Sequence, residues 1–199
     1  MKLSSSLFPF LLLIMLGVAI GDQHPQSPGD NHSHEFHSMQ AKLAYLKQNG
    51  AKAHPDSKPT ELTEAEVNAY FNEGGVKLPK GVSHVRLSSQ PGVIDAHAQI
   101  DFEAITNGRG SNNPVYSLFS GIHDIHAVAP ASGANGTGSI RVQTVELDDA
   151  TVPQFLLQLF VEHYLTPKYP NVGMTSTFKL PLHIDNAVID SGRVRLVQK

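Results

Sequence analysis

Of the places in this 199-residue chain where histidine and carboxylate side chains occur together, three concern chemistry most. Between residues 22 and 38, His24, His32, His34 and His37 surround Glu35. Neutral imidazoles such as those of His32, His34 and His37 are ligands of the kind that bind Zn²⁺, Cu²⁺ or Ni²⁺. The residues around them are Pro, Ser, Gly and Asn without apolar periodicity, so gathering three ligands there costs chain entropy, and nothing is identifiable to orient the rings. The expectation is a solvated tail with weak metal affinity at most. The second place is His123-Asp124-Ile125-His126, in a strand-like run that sends His123 and Asp124 to opposite faces. The third is Asp95, His97 and Asp101, which share the polar face of another strand. Two of these groups could meet across strands as a metal pair or an acid/base pair. The alternation, however, puts Asp95, His97 and Asp101 together on a wet face, where solvated polar residues need no further role.

The usual catalytic signatures are absent. There is no G-x-S-x-G, no H-E-x-x-H, no phosphate-binding glycine loop and no cysteine. The expectation is therefore a non-enzyme with no catalytic residue and no cofactor. The net charge is −3, with no basic run, which argues against nucleic acid as a partner.

The elements that must hold these residues are legible from periodicity. In residues 93–104, Ile94, Ala96, Ala98, Ile100, Phe102 and Ala104 alternate with Asp95, His97, Gln99, Asp101 and Glu103, which predicts one long strand with a dry and a wet face. At about 3.4 Å per residue it exceeds the usual strand length, and long one-sided strands build large curved sheets. Its alanines leave room on the dry face for something other than the sheet's own side chains. Residues 82–89 predict a strand joined to it by the turn Gln90-Pro91-Gly92, giving an antiparallel hairpin. Farther on, Ile140 and Val142 point one way and Val145 and Leu147 the other, a phase shift that predicts a bulge near Thr144. Residues 174–185 and 187–197 predict two closing strands, with Asp190-Ser191-Gly192 as a turn.

Two helices stand out. Thr63-Glu64-Ala65-Glu66 is a capping box, Leu62 and Val67 fit a hydrophobic staple, and Val67, Tyr70 and Phe71 form the apolar face. After Pro153, residues 154–166 predict a helix apolar around most of its girth, which needs cover on more than one side. Opposed to the dry face of the long strand, it would enclose an apolar groove lined by Ile94, Ala96, Ala98, Ile100, Phe102, Phe155, Leu156, Leu159 and Phe160. The expected fold class is α+β: a long, curved antiparallel sheet wrapped around or packed on one apolar helix, with a capped helix on its N-terminal side.

The N-terminus sets the compartment. Lys2, an apolar run over residues 7–20 and small residues at Ala19 and Gly21 predict a secretory signal over residues 1–21, with an uncleaved anchor as the alternative. The remaining 178 residues carry a charge of −4, since residues 1–21 hold one lysine and no acid. Residues 22–59 read as a disordered His-rich leader with a short helix at residues 39–47, and residues 60–199 as one domain.

Several runs together carry a resemblance: L-T-E-A-E-V-N-A-Y-F at 62–71, L-P-K-G-V at 78–82, V-E-L-D-D-A-T-V-P-Q-F-L-L at 145–157 and I-D-S-G-R-V-R-L at 189–196. In this order, after a signal or anchor, they resemble extracytoplasmic lipid-binding proteins of bacteria of the LmeA-like and YpmS-like families, whose architecture is of the tubular lipid-binding or AsmA type. The resemblance spans roughly residues 60–197, and its motifs are structural. The His-rich leader and the loops at 106–113 and 132–138 depart from it. It implies a curved sheet around a helix and a groove for lipid acyl chains. The expected function is thus an exported, periplasmic or secreted protein that binds a lipid or other hydrophobic ligand, with lipid transfer in the cell envelope as a role. An envelope protein or a membrane surface as partner, or weak metal binding through the leader, is the alternative.

Overall fold

The computed structural model describes residues 32–106, 120–167 and 173–199. The described residues form an α+β fold, with four α-helices among them and one large, unclosed antiparallel sheet. The sheet is organised by β4 (Ile122–Ala134), a 13-residue strand that belongs to two halves. Its first part pairs with β3 (Val93–Asp101) from Asp101↔Ile122 to Val93↔Pro130, and on its other side Ile125 to Val128 pair with β6 (Thr144–Leu147). Its last four residues pair with β5 (Thr137–Arg141), and Gly133 lies opposite Ala187 of β9 (Ile184–Asp190). A Cβ at Gly133 would fall 2.8 Å from that of Ala187, so glycine is what lets β9 come alongside.

The remaining strands complete the halves. β2 (Val82–Gln90) forms the predicted hairpin with β3, with Gln90 opposite Val93 and a register shift between Ser83 and Arg86 where His84 takes φ +52°. β7 (Ala150–Thr151) flanks β6, β8 (Thr175–Lys179) flanks β5, and β10 (Arg193–Gln198) joins β9 to the edge strand β1 (Thr60–Thr63).

Two helices cover one face. α1 (His34–Gly50) buries Phe36, Met39, Leu43 and Leu46, an i, i+3, i+7, i+10 stripe. Its N-cap is Ser33, whose Oγ accepts from the Phe36 amide at 3.1 Å and donates to Glu73 at 2.6 Å. Its far end is fixed to the last strand: buried Asn49 donates to the Oε1 of buried Gln198 at 2.8 Å, and Gln198 Nε2 donates to the carbonyls of Leu46 and Leu182. α2 (Glu64–Asn72) begins in a complete capping box, with Thr63 and Glu66 each accepting from the other's amide. It also seals a sheet edge. Asn68 accepts from the Leu87 amide and donates to the Leu87 carbonyl, Asn72 donates to Val85, and Glu64 accepts from the Ser89 amide. Four residues of helix rise about 6 Å and two of strand about 6.8 Å, so side chains spaced by four stay in step with a strand read every second residue.

Three expectations change, and one holds. The leader does not run as a solvated tail through Ser38, because the helix starts at His34 and Phe36 is buried; Phe36 extends the Met39, Leu43, Leu46 stripe by one turn. The long strand stops at Asp101, and α3 (Phe102–Thr106) turns Phe102 inward from a helical position, so Ala104 is not on the strand. The phase shift near Thr144 is the expected bulge: between the Ala131↔Ile140 and Val128↔Thr144 pairs, three residues, Arg141 to Gln143, stand against Ala129 and Pro130 of β4. The closing strands number three, since Leu182 and His183 take left-handed φ and break the alternation. The signal segment, His24 and residues 107–113 of the loop at 106–113 lie outside the described residues.

Candidate functional site

The apolar side chains fall into three clusters. Phe71, Val85, Leu87, Ile94, Ala96, Ala98, Ala129, Ile140 and Ile189 form the first, beneath α2. Ile100, Phe102, Leu147, Val152 and Phe160 form the second, at the other end of the sheet. Met39, Leu43, Leu46 and Leu62 form the third, beneath α1. Between the first and third lies a cavity of about 140 Å³, lined by residues such as Leu46, Leu62, Phe71, Ile140, Phe178 and Ile189. Close packing normally leaves few voids larger than a water molecule, so an apolar space of this size is a departure from an ordinary interior.

Of the nine residues expected to line the groove, Ile94 lines this cavity. Ala96 and Ala98 are buried in the first cluster with Phe71, Val85, Leu87 and Ala129 and do not line the cavity. Ile100, Phe102 and Phe160 pack together in the second cluster, with Leu156 against them. Phe155 and Leu159 are 64% and 40% exposed. The apolar helix α4 (Gln154–Phe160), continued by a π-helical turn (Val161–Leu165), contributes nothing to the cavity lining. The physical reason is length: the seven α-helical residues of α4 bury only Phe160 fully, whereas the 17 residues of α1 bury an apolar stripe of Phe36, Met39, Leu43 and Leu46.

On the opposite face of β3 and β4 the polar residues do assemble. His97 and His126 face each other in register, and their rings stack with centroids 4.2 Å apart at 4°. Asp95, two residues before His97 on the same face, reaches both: Oδ1 lies 3.2 Å from His97 Nε2 and Oδ2 lies 3.0 Å from His126 Nε2. From β6, Glu146 Oε2 meets His126 Nδ1 at 2.9 Å. The hydrogen bonds to Asp95 and then Glu146 raise the His126 pKa above the ordinary imidazole value, against a smaller opposing effect of burial. Asp101 is elsewhere, capping α3 through the Ala104 amide. His123 is also separate: its Nδ1 contacts Asp148 at 2.6 Å and its Nε2 contacts the Ser120 carbonyl at 2.6 Å. Burial lowers the His123 pKa, but those two partners together carry it above the usual value.

The leader histidines do not converge in the same way. His32 stacks on Phe36 and lies 3.4 Å from Glu73, His37 is 6.3 Å from His32 by ring centroids, and His34 is exposed at the start of α1. Among the described residues, the group of three or more ligand-type side chains close enough to share an ion is Asp95, His97 and His126. The sequence carried a signal for this, because His97 and His126 each lie on the polar side of an alternating run; what it lacked was the register that sets them opposite each other.

Comparison with protein families, with curated proteins and with solved structures finds no match for this chain. Among the described residues, no helix is long and apolar enough to cross a membrane.

Proposed function

We propose that this chain is an exported, non-enzymatic protein that takes the apolar part of a lipid or comparable amphiphile into the cavity between its two N-terminal helices and the sheet. The observation that carries this reading is the cavity itself, about 140 Å³ with a lining drawn from α1, α2 and both halves of the sheet. Apolar cavities near this size stay dry and accept benzene-sized guests. A branched or acyl terminus of that bulk would replace missing contacts between side chains on either side. The apolar run at residues 7–20 supports export, and the resemblance of residues 60–197 to bacterial lipid-binding proteins supports the ligand class.

The test is native mass spectrometry of the purified protein followed by organic extraction. A small apolar or amphiphilic molecule that leaves on extraction supports the reading. A protein free of such molecules that co-purifies stoichiometrically with an envelope protein favours the other class, an interaction module. Phe155 and Leu159, exposed side by side on α4, are the observation behind that second reading.

A further inference from the structure

The geometry points to a zinc-class divalent metal site on the outer face of the sheet, with His97, His126 and Asp95 as ligands and Glu146 as the group that orients His126. It is independent of the cavity, because Asp95 and His97 alternate with Ile94, Ala96 and Ala98 and so lie on the reverse of the strand. Three adjacent strands supply the four residues. β3 gives Asp95 and His97, β4 gives His126 directly across from His97, and β6 gives Glu146 directly across from His126. Hydrogen-bonded strands hold these positions without the ordering cost that a flexible tail would incur.

The distances suit the metal. Ligands about 2.0–2.1 Å from a tetrahedral zinc stand about 3.4 Å from one another. Asp95 to His97 at 3.2 Å and Asp95 to His126 at 3.0 Å are already close to that edge, and the ligand atoms all lie within 4.8 Å of one another. Both Nε2 atoms face the same carboxylate. Glu146 accepts the Nδ1 proton of His126, which leaves Nε2 as the metal-binding nitrogen; this carboxylate–histidine relay is the arrangement that fixes tautomer and ring angle at protein metal sites. Zn²⁺ binding at the two Nε2 atoms releases the Nε2 proton of His126 to solvent, its Nδ1 proton staying on Glu146, while His97 carries its proton on the exposed Nδ1 instead of Nε2, so two N–H···O contacts become two Zn–N bonds with Asp95 as the third ligand. Two imidazoles and one carboxylate select the zinc class over Mg²⁺ or Ca²⁺, which prefer oxygen. His97 is 55% exposed in its side chain and Asp95 33%, so water can complete the coordination.

The experiment is calorimetric titration of the purified full-length chain with ZnCl₂, with histidine-ring NMR spectra recorded alongside. The expected result is one equivalent bound at micromolar concentration or tighter, with the His97 and His126 ring signals shifted. His97→Ala and His126→Ala should each weaken binding by roughly 100-fold or more, and Glu146→Gln by about 10–100-fold. The triple variant His32→Ala, His34→Ala, His37→Ala should bind as the parent does. These strands stay paired through their backbones, so circular dichroism should show every variant folded. Three results would overturn the site: no zinc bound at millimolar concentration, binding unchanged in both His97→Ala and His126→Ala, or binding lost in the leader variant.

Discussion

The side chain of Asn68 pairs with the backbone of Leu87 as a neighbouring strand would, accepting from its amide at 2.7 Å and donating to its carbonyl at 2.8 Å. β2 ends the sheet path on this side, and an unpaired edge invites addition of another chain. Glu64 and Asn72, one helical turn to either side, extend the same protection to Ser89 and Val85. The helix that roofs the cavity thus also closes the edge beside it.

Asn68→Ala should remove both bonds at Leu87 and cost about 1–3 kcal/mol, since part of the freed backbone is shielded from water. Amide hydrogen exchange is the direct readout, with Leu87 losing protection while the β3–β4 amides keep theirs. Unchanged protection at Leu87 would show that the edge is sealed by something other than this side chain.

Acid should loosen the α1–α2 junction first. Burial alone would raise the Glu66 pKa, but hydrogen bonds from Lys42, Ser38 and the Thr63 amide overcome it and hold the carboxyl down to about 2 from an ordinary 4.5. A depressed carboxyl pKa stabilises the fold above the unfolded-state value and loses that contribution as pH falls through the folded-state value. The window is therefore pH 4.5 down to about 2, with on the order of 3 kcal/mol at stake for a side chain this buried. Urea unfolding across that range should show the loss in the parent, and Glu66→Gln should flatten it while lowering stability at pH 7. A parallel slope in both proteins would assign the acid sensitivity elsewhere.

Deleting residues 22–38 should destabilise the protein. It removes the Ser33 N-cap of α1, worth about 1 kcal/mol, and buried Phe36, worth about 1.5–3 kcal/mol. The urea midpoint should fall accordingly, and an unchanged midpoint would return the whole segment to the role of a solvated tail.

The sequence spoke clearly where one short pattern decides the structure. The Thr63 capping box, the β2–β3 hairpin and the dry face of β3 are local, and each reads from fewer than a dozen residues. The start of α1 was hidden by composition: histidine, serine and asparagine around Phe36 suggest a tail, although Ser33 is an N-cap residue and Phe36 stands three before Met39. The cavity was misplaced because periodicity says which face is dry, not which helix covers it. Residues 154–166 are the more apolar run, but α1 and α2 are the helices anchored across the sheet by Asn49–Gln198 and Asn68–Leu87. The polar cluster depended on strand register alone, and register between distant strands is a property of the assembled sheet.

Methyl NMR during titration with decanoate tests ligand binding in the cavity most directly. The account predicts saturable shifts at the methyls of Leu46, Leu62, Ile140 and Ile189, which line the cavity, and none at Val152 or Leu157 in the other cluster. Ala131→Phe, which places a ring in the cavity, should abolish those shifts in a protein whose spectrum remains folded. Cavity methyls that do not move up to the solubility limit of decanoate, or shifts centred on Val152 and Leu156, would contradict it.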